Sequence, residues 1–329
     1  MPRAAARIPV VLCFDVEPDP RQPSRDAPEP WRGYQGAQRL LEGLRPRLEA
    51  RTGLPAHYAW FLRMDPQIAE VYGSAAWVVE QHRAHLEEAA RHGDEIGLHP
   101  HGFRWLPRER IWLNDFGNPD WLAHTLKTSA EAFRRAFGRG CTALRWGDGW
   151  LDTASVNLAE SLGIRFDLSL EPGAPGRATP AEGEPASAPL PDQARVPRAP
   201  YTPSRTDHRR AQRAARGIRM IPLTSGHRRL GPRRRLRRAL RNGLRHRLQD
   251  TPLSMWRRWA PPDGFDRMLD RALAAQRRPY LAFAVRTDLG SDPAVGEAVR
   301  ACLETLLAHP AAPRFAFCTP AEALAALER

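Results

Sequence analysis

The sequence predicts an α/β protein whose parallel strands close, or nearly close, into a βα barrel. Short apolar, partly β-branched runs recur along the chain, and segments with apolar residues three or four apart alternate with them. The 329 residues are enough to bury one large core, so a single domain over 1–329 is expected.

Strands are expected at 8–14 (IPVVLCF), 56–62 (AHYAWFL), 95–99 (EIGLH), 142–146 (TALRW), 166–170 (FDLSL), 218–224 (IRMIPLT), 280–285 (YLAFAV) and 314–318 (RFAFC). Helices are expected at 36–50, 75–92, 119–137, 152–163, 263–277, 293–308 and 320–328. Leu122, Leu126, Phe133 and Phe137 show the stripe that defines the third of them. Two segments break the alternation. Residues 172–217 are so rich in Pro, Ala and Arg that an irregular loop is expected. Residues 227–260 begin with an arginine run in which Leu236, Leu240, Leu244 and Leu248 recur every fourth position, so an Arg-rich helical insertion with solvated charges is expected.

The formal net charge of +13 comes from arginine, with Lys127 the sole lysine. That bias reflects GC-rich coding as much as a polyanionic partner, and a nucleic acid is not the expected ligand. Cys13, Cys141, Cys302 and Cys318 share no CxxC spacing, and three lie in apolar runs, as reduced core thiols do. The first apolar run is short for a signal peptide, and no run is long enough to span a membrane. Cytoplasmic residence is expected.

In parallel βα folds the chemistry sits at the carboxyl ends of the strands. The first strand ends in Asp15-Val-Glu17, and residues two apart on an extended chain face the same side. Two carboxylates side by side repel unless a cation lies between them or one serves proton transfer. The third strand ends in His99-Pro-His101, where the proline favours extended backbone. Glu17, His99 and His101 are a donor set that suits a divalent metal, Zn²⁺ first, with one position left for water. The fourth strand ends in Arg145-Trp-Gly-Asp148-Gly-Trp150, and Arg145 is placed to hold Asp15 ionised through a two-pronged hydrogen bond. Arg63, Asp65, Trp146, Asp148 and Trp150 are candidate pocket residues, while His82, His85 and His208 are expected to be solvated.

FDVEPD, GDEIGLHPH, ALRWGDGW, LGIRFDLSLEPG and IRMIPLT, in this order, resemble the polysaccharide deacetylase family (carbohydrate esterase family 4, NodB-like) over residues 8–224. The resemblance implies a distorted seven-stranded βα barrel. It also implies metal-dependent removal of an acyl group, commonly N-acetyl, from a sugar or related amide. On the matching motifs Asp15 is then the catalytic base, Glu17, His99 and His101 hold the metal, and Arg145 tethers the base. The chain departs from the family at three places. Val16 separates two acids that are adjacent in the family, and Phe103 stands where the family has its second histidine. The late strand reads FAVRTDLG, with Arg286 and Asp288 in place of a histidine, which leaves Asp288 or protonated Asp15 to protonate the leaving amine.

Other classes compete with this reading. The HxH pair also marks amidohydrolase barrels, although there it ends the first strand and here the third. A barrel without turnover and an Arg-rich polyanion-binding protein are the non-enzymatic alternatives.

Overall fold

The computed structural model describes residues 6–20, 22–174, 176, 190–228, 251–253, 264–287 and 293–329. Its centre is a parallel sheet in the order β11 (Leu281–Arg286), β1 (Ile8–Val16), β2 (Ala59–Leu62), β3 (Glu95–Leu98), β6 (Ala143–Leu144), β7 (Phe166–Asp167), β8 (Arg219–Met220). A further strand, β12 (Phe315–Phe317), pairs with the amino half of β1, on the side that β2 takes over from Cys13 onward. Past β8 the chain reaches β11. Thr224 N–H donates to the Ala282 carbonyl at 2.7 Å, and the Thr224 hydroxyl accepts from Ala282 N–H at 2.9 Å. That contact joins the two edges into a distorted barrel.

Alternation along the strands separates two cores. Val10, Leu12, Phe14 and Val16 of β1 face outward, into a large cluster with helix residues such as Leu44 of α1 (Arg32–Thr52) and Leu126 of α4 (Pro119–Phe137). Val11 and Cys13 face inward with Ala59, Phe61, Ala143, Leu168, Ile221, Ala282 and Ala284. Small residues predominate there because the ring is narrow. Gly97 of β3 is the extreme case: a Cβ would stand 2.7 Å from the Ala143 carbonyl oxygen and 2.8 Å from the Phe61 ring.

The remaining helices are α2 (Pro66–Tyr72), α3 (Trp77–Arg91), α5 (Thr153–Ser161), α6 (Phe265–Ala274), α7 (Pro293–Ala308) and α8 (Pro320–Glu328). The last closes the amino-terminal mouth of the barrel. Thr319 and Glu322 form a reciprocal cap at its start. Glu322 also pairs with His57 ahead of β2 at 2.8 Å, and Glu328 pairs with Arg219 of β8 at 2.6 Å. Ala323 and Leu324 fill the inner core from this end.

All eight expected strands and seven expected helices are present, although β6, β7 and β8 retain only two residues each. Their ladders continue as irregular backbone bonds, such as Arg145 N–H to Leu98 O at 2.9 Å and Leu168 N–H to Leu144 O at 2.9 Å. Helix α2 was not expected. It begins on Asp65-Pro66, with Asp65 capping Ile68 N–H at 3.3 Å and proline at the first turn. The antiparallel hairpin of β4 (Phe103–Leu106) and β5 (Ile111–Asn114) was also unexpected. The insertion expected as helical over 227–260 opens instead as β9 (Gly226–Arg228), paired antiparallel with β10 (Thr251–Leu253). Residues 229–250 and 254–263 lie outside the described residues. Among the described residues no helix is long and apolar enough to cross a membrane, and all four cysteines are buried and unpaired with one another.

Candidate metal centre

The inward face of each strand continues past its carboxyl end into ionisable side chains. After Val11 and Cys13 come Asp15 and Glu17; after Ala59 and Phe61 comes Arg63; after Gly97 come His99 and His101; after Ala143 comes Arg145; after Ala282 and Ala284 comes Arg286. The apolar floor and the polar site are therefore one surface at two heights. Asp15, Glu17, His99, His101, Arg63, Asp65 and Arg145 are all buried.

Ligand atoms of Glu17, His99 and His101 lie within 4.8 Å of one another. The two Nε2 atoms face each other at 3.1 Å, and Glu17 oxygens stand 3.9 Å from His99 Nε2 and 3.4 Å from His101 Nε2. His99 Nδ1 is 2.7 Å from the Arg145 carbonyl, an acceptor only, so Nδ1 carries the proton and Nε2 presents a lone pair. His101 Nδ1 lies 3.4 Å from Asp148, which also accepts from the Asn114 amide. Burial pushes the His99 imidazole down to about 4, opposed by Glu17, and pushes His101 well below the ordinary range. Both rings are neutral at pH 7, the state a metal requires.

Backbone and packing fix this geometry. His101 N–H donates to Asp65 at 3.0 Å, and the Phe103 ring stacks on the His101 imidazole with centroids 5.5 Å apart. Position 147 must be glycine, because a Cβ there would overlap the His101 ring. Thr287 holds the acidic segment by donating its hydroxyl to Asp15 O at 3.1 Å and accepting from Glu17 N–H at 3.3 Å.

Beside the triad, Arg145 Nε reaches both Asp15 oxygens at 2.9 and 3.0 Å, while its Nη1 donates to Leu168 O at 3.0 Å. The expected two-pronged bond is thus a single shared N–H, because the second prong is spent on the Leu168 carbonyl just past β7. Burial raises the Asp15 pKa, opposed by Arg145 and Arg286. Among the described residues, Asp15, Glu17, Asp65 and Glu171 lie within 4 Å of the guanidiniums of Arg63, Arg145 or Arg286, and Asp148 lies beside His101. Imidazole with carboxylate is the donor set a divalent cation takes.

The pocket candidates separate. Arg63 and Asp65 are fully buried and paired at 2.9 Å, with Asp65 supporting His101. Trp146 is fully buried in the outer core. Trp150 is half-buried and stacked on Phe116 at 4.5 Å. Asp288 lies outside the described residues. Sequence reasoning passed over Glu171, 3.9 Å from Arg145, although it follows the strand FDLSL as Asp15 follows IPVVLCF. His85 and His208, expected to be solvated, are held by Tyr34 at 2.8 Å and Thr153 at 3.0 Å, because the aromatic cluster under α3 and the loop over α5 cover them.

No protein-family model and no curated protein matches the chain. Solved structures do. A protein from Parabacteroides distasonis, described as a glycoside hydrolase/deacetylase, superposes with a TM-score of 0.53 at 14% identity, over 100% of this chain and 73% of its own. One from Pseudomonas aeruginosa, described as a polysaccharide deacetylase, superposes with a TM-score of 0.52 at 13% identity, over 98% of this chain and 92% of its own. The chain has the NodB-like polysaccharide deacetylase fold. In that fold the triad and the Asp15–Arg145 pair occupy the carboxyl ends of β1, β3 and β6, opposite the mouth closed by α8. The deacetylase fold also puts Arg286 beside Asp15, its register partner on the late strand, with Arg286 Nε 2.8 Å from Glu17.

Proposed function

We propose that the protein is a metal-dependent hydrolase that removes an acyl group, N-acetyl first, from a sugar or related amide, in a glycan or a small molecule. The observation that carries this reading is the proximity, at the strand ends of a deacetylase fold, of a Glu–His–His donor set to a carboxylate gripped by a buried arginine. Glu17, His99 and His101 would hold the cation, and Zn²⁺ suits two imidazoles and a carboxylate. When bound, the cation polarises a carbonyl and acidifies water.

The protein's own groups supply the rest. Asp15, raised by burial yet oriented by Arg145, is the base that takes a proton from the attacking water. The Arg145 carbonyl fixes the His99 tautomer, and Asp65 fixes the His101 backbone. Asp288, two residues beyond Arg286 in the sequence, or Asp15 once it has taken the proton from water, protonates the leaving amine. Four buried thiols support a cytoplasmic protein.

The test is metal content of protein purified without added metal, together with acetate release from N-acetylated glucosamine oligomers and monosaccharides. Stoichiometric zinc and acetate release that chelator abolishes are expected. Protein that neither retains nor takes up metal, and releases no acetate, overturns the reading. Arg286 in place of the late histidine favours a second reading, a barrel that binds metal without turnover; stoichiometric metal with no acetate release would support it.

A further inference from the structure

The β4–β5 hairpin reaches the metal centre through one cross-strand pair. Phe103 and Asn114 are register partners, so their side chains leave the same face of the hairpin. The Phe103 ring stacks on the His101 imidazole with the two planes 10° apart. The Asn114 amide donates to an oxygen of Asp148, and that same oxygen stands 3.4 Å from His101 Nδ1. A lone pair on Nδ1 would repel the oxygen, whereas an N–H there is attracted to it. His101 is therefore held on its ring face by one residue of the pair and on its Nδ1 edge, through Asp148, by the other.

Both polar residues sit where local structure alone would favour something else. Asp148 has φ of 58° and Gly149 follows at 68°, both in the left-handed region, where glycine would serve at either position without strain. Asn114 is 3% exposed, and its Oδ1 has no hydrogen-bond partner among the described residues. An apolar residue would fill that place without burying an unsatisfied acceptor. Position 102 makes room for it: a Cβ there would stand 2.9 Å from the Phe116 ring and 3.1 Å from Asn114 Oδ1. What the carboxylate and the amide share is the line that runs from Asn114 through Asp148 to His101 Nδ1.

We propose that Asp148 and Asn114 are positioning residues of the metal centre, a relay from the hairpin that keeps the proton of His101 on Nδ1 and its Nε2 lone pair toward Glu17 and His99. This deepens the deacetylase reading and rests on its metal site. Without the relay the proton can move to Nε2, 3.1 Å from His99 Nε2, and occupy the lone pair that a cation needs. The hairpin is then part of the centre, although none of its residues belongs to the triad.

Two measurements test the relay without reference to turnover: zinc affinity by competition with a chromophoric chelator, and ring-nitrogen chemical shifts of isotope-labelled histidine in zinc-free protein at pH 7. Asp148→Gly suits the left-handed backbone and removes the carboxylate. Its zinc affinity should fall about 10–100-fold, and its His101 should carry less proton on Nδ1 than in the wild type. Asp148→Asn also tolerates the backbone and keeps an oxygen for Nδ1, so it should recover part of the affinity. Asn114→Leu should weaken zinc binding in the wild-type background and cost nothing further in Asp148→Gly, because the two act in series. Wild-type zinc affinity in Asp148→Gly, additive losses in the double variant, or the same His101 tautomer with and without the carboxylate overturns the proposal. If the wild type takes up no zinc, the metal reading itself fails, and the tautomer comparison, made without metal, still decides the assignment of Asp148.

Discussion

One N–H of Arg145, its Nε, is shared between both carboxylate oxygens of Asp15, at 2.9 and 3.0 Å. A carboxylate gripped symmetrically has neither oxygen committed, so either can take a proton while the other stays bound. The second arm of the guanidinium is anchored to Leu168 O, which makes Asp15 orientation a property of the β6–β7 ladder.

Asp15→Asn should leave the fold and the metal in place and lower turnover by about 10²–10⁴, the usual contribution of a positioned base. Acetate release at saturating substrate and metal content by mass spectrometry check it. No metal concentration should restore the variant.

Glu17→Gln should behave in the opposite manner, since a neutral amide is a poorer ligand for a divalent cation. Zinc affinity should fall, and activity should partly return at high zinc. If Asp15→Asn is instead the variant that zinc rescues, the two roles must be exchanged.

Gly147→Ala changes no ligand, yet its methyl would overlap the His101 ring. Zinc affinity is expected to fall about 10–100-fold, as when groups that orient a ligand are lost, with an unaltered far-ultraviolet circular dichroism spectrum. His99→Ala and His101→Ala should each remove most of the metal. Retention of full affinity in Gly147→Ala would mean that His101 does not bind in the observed rotamer.

Acid should destabilise the protein well above the carboxylate range. Burial holds His85 and His208 down to about 4, as it does His99, whereas each titrates near 6.5 when unfolded. At these histidines the unfolded chain therefore binds more protons between those values, so the stability they contribute is full above pH 6.5 and declines as pH falls toward 4, opposed in part by Asp167, whose carboxyl burial pushes up to about 6. His208 alone contributes up to about 3 kcal/mol to that slope. Melting temperatures of His208→Gln between pH 4 and 7 should be flatter than those of the wild type.

The strands were legible because each inward and outward pair of apolar residues leaves a run that a helix would space differently, and the strand-end rule then found Asp15, Glu17, His99, His101 and Arg145. Glu171 obeys the same rule and was within reach. The Arg145 and Leu168 carbonyls were not, since a backbone acceptor has no residue type to mark it. Asp65 carried two signals, a strand-end acid and a helix cap before proline; the first was read as a pocket residue and the second, which forms α2, was passed over. The β4–β5 hairpin escaped because its strands are four residues each and Arg104 interrupts the apolar pattern on its outer face.

Among the described residues the edges of the barrel meet through the two Thr224–Ala282 bonds and the Tyr280 hydroxyl on the Pro222 carbonyl, whereas β1 and β11 share six paired positions. A cylinder stitched so sparsely has a seam. Two residues past it, at Gly226, the chain leaves the ring for the arginine-rich insertion and returns at Leu253, directly opposite in the β9–β10 pair. Extra chain introduced there starts and ends at the same point, so its length can vary without shifting the register of any strand that carries the metal centre. The seam is thus where this scaffold can acquire new sequence at the rim of its pocket while β1, β3 and β6 stay unchanged. Amide exchange at Ala282 faster than at Phe283 would mark it as the place where the ring opens first.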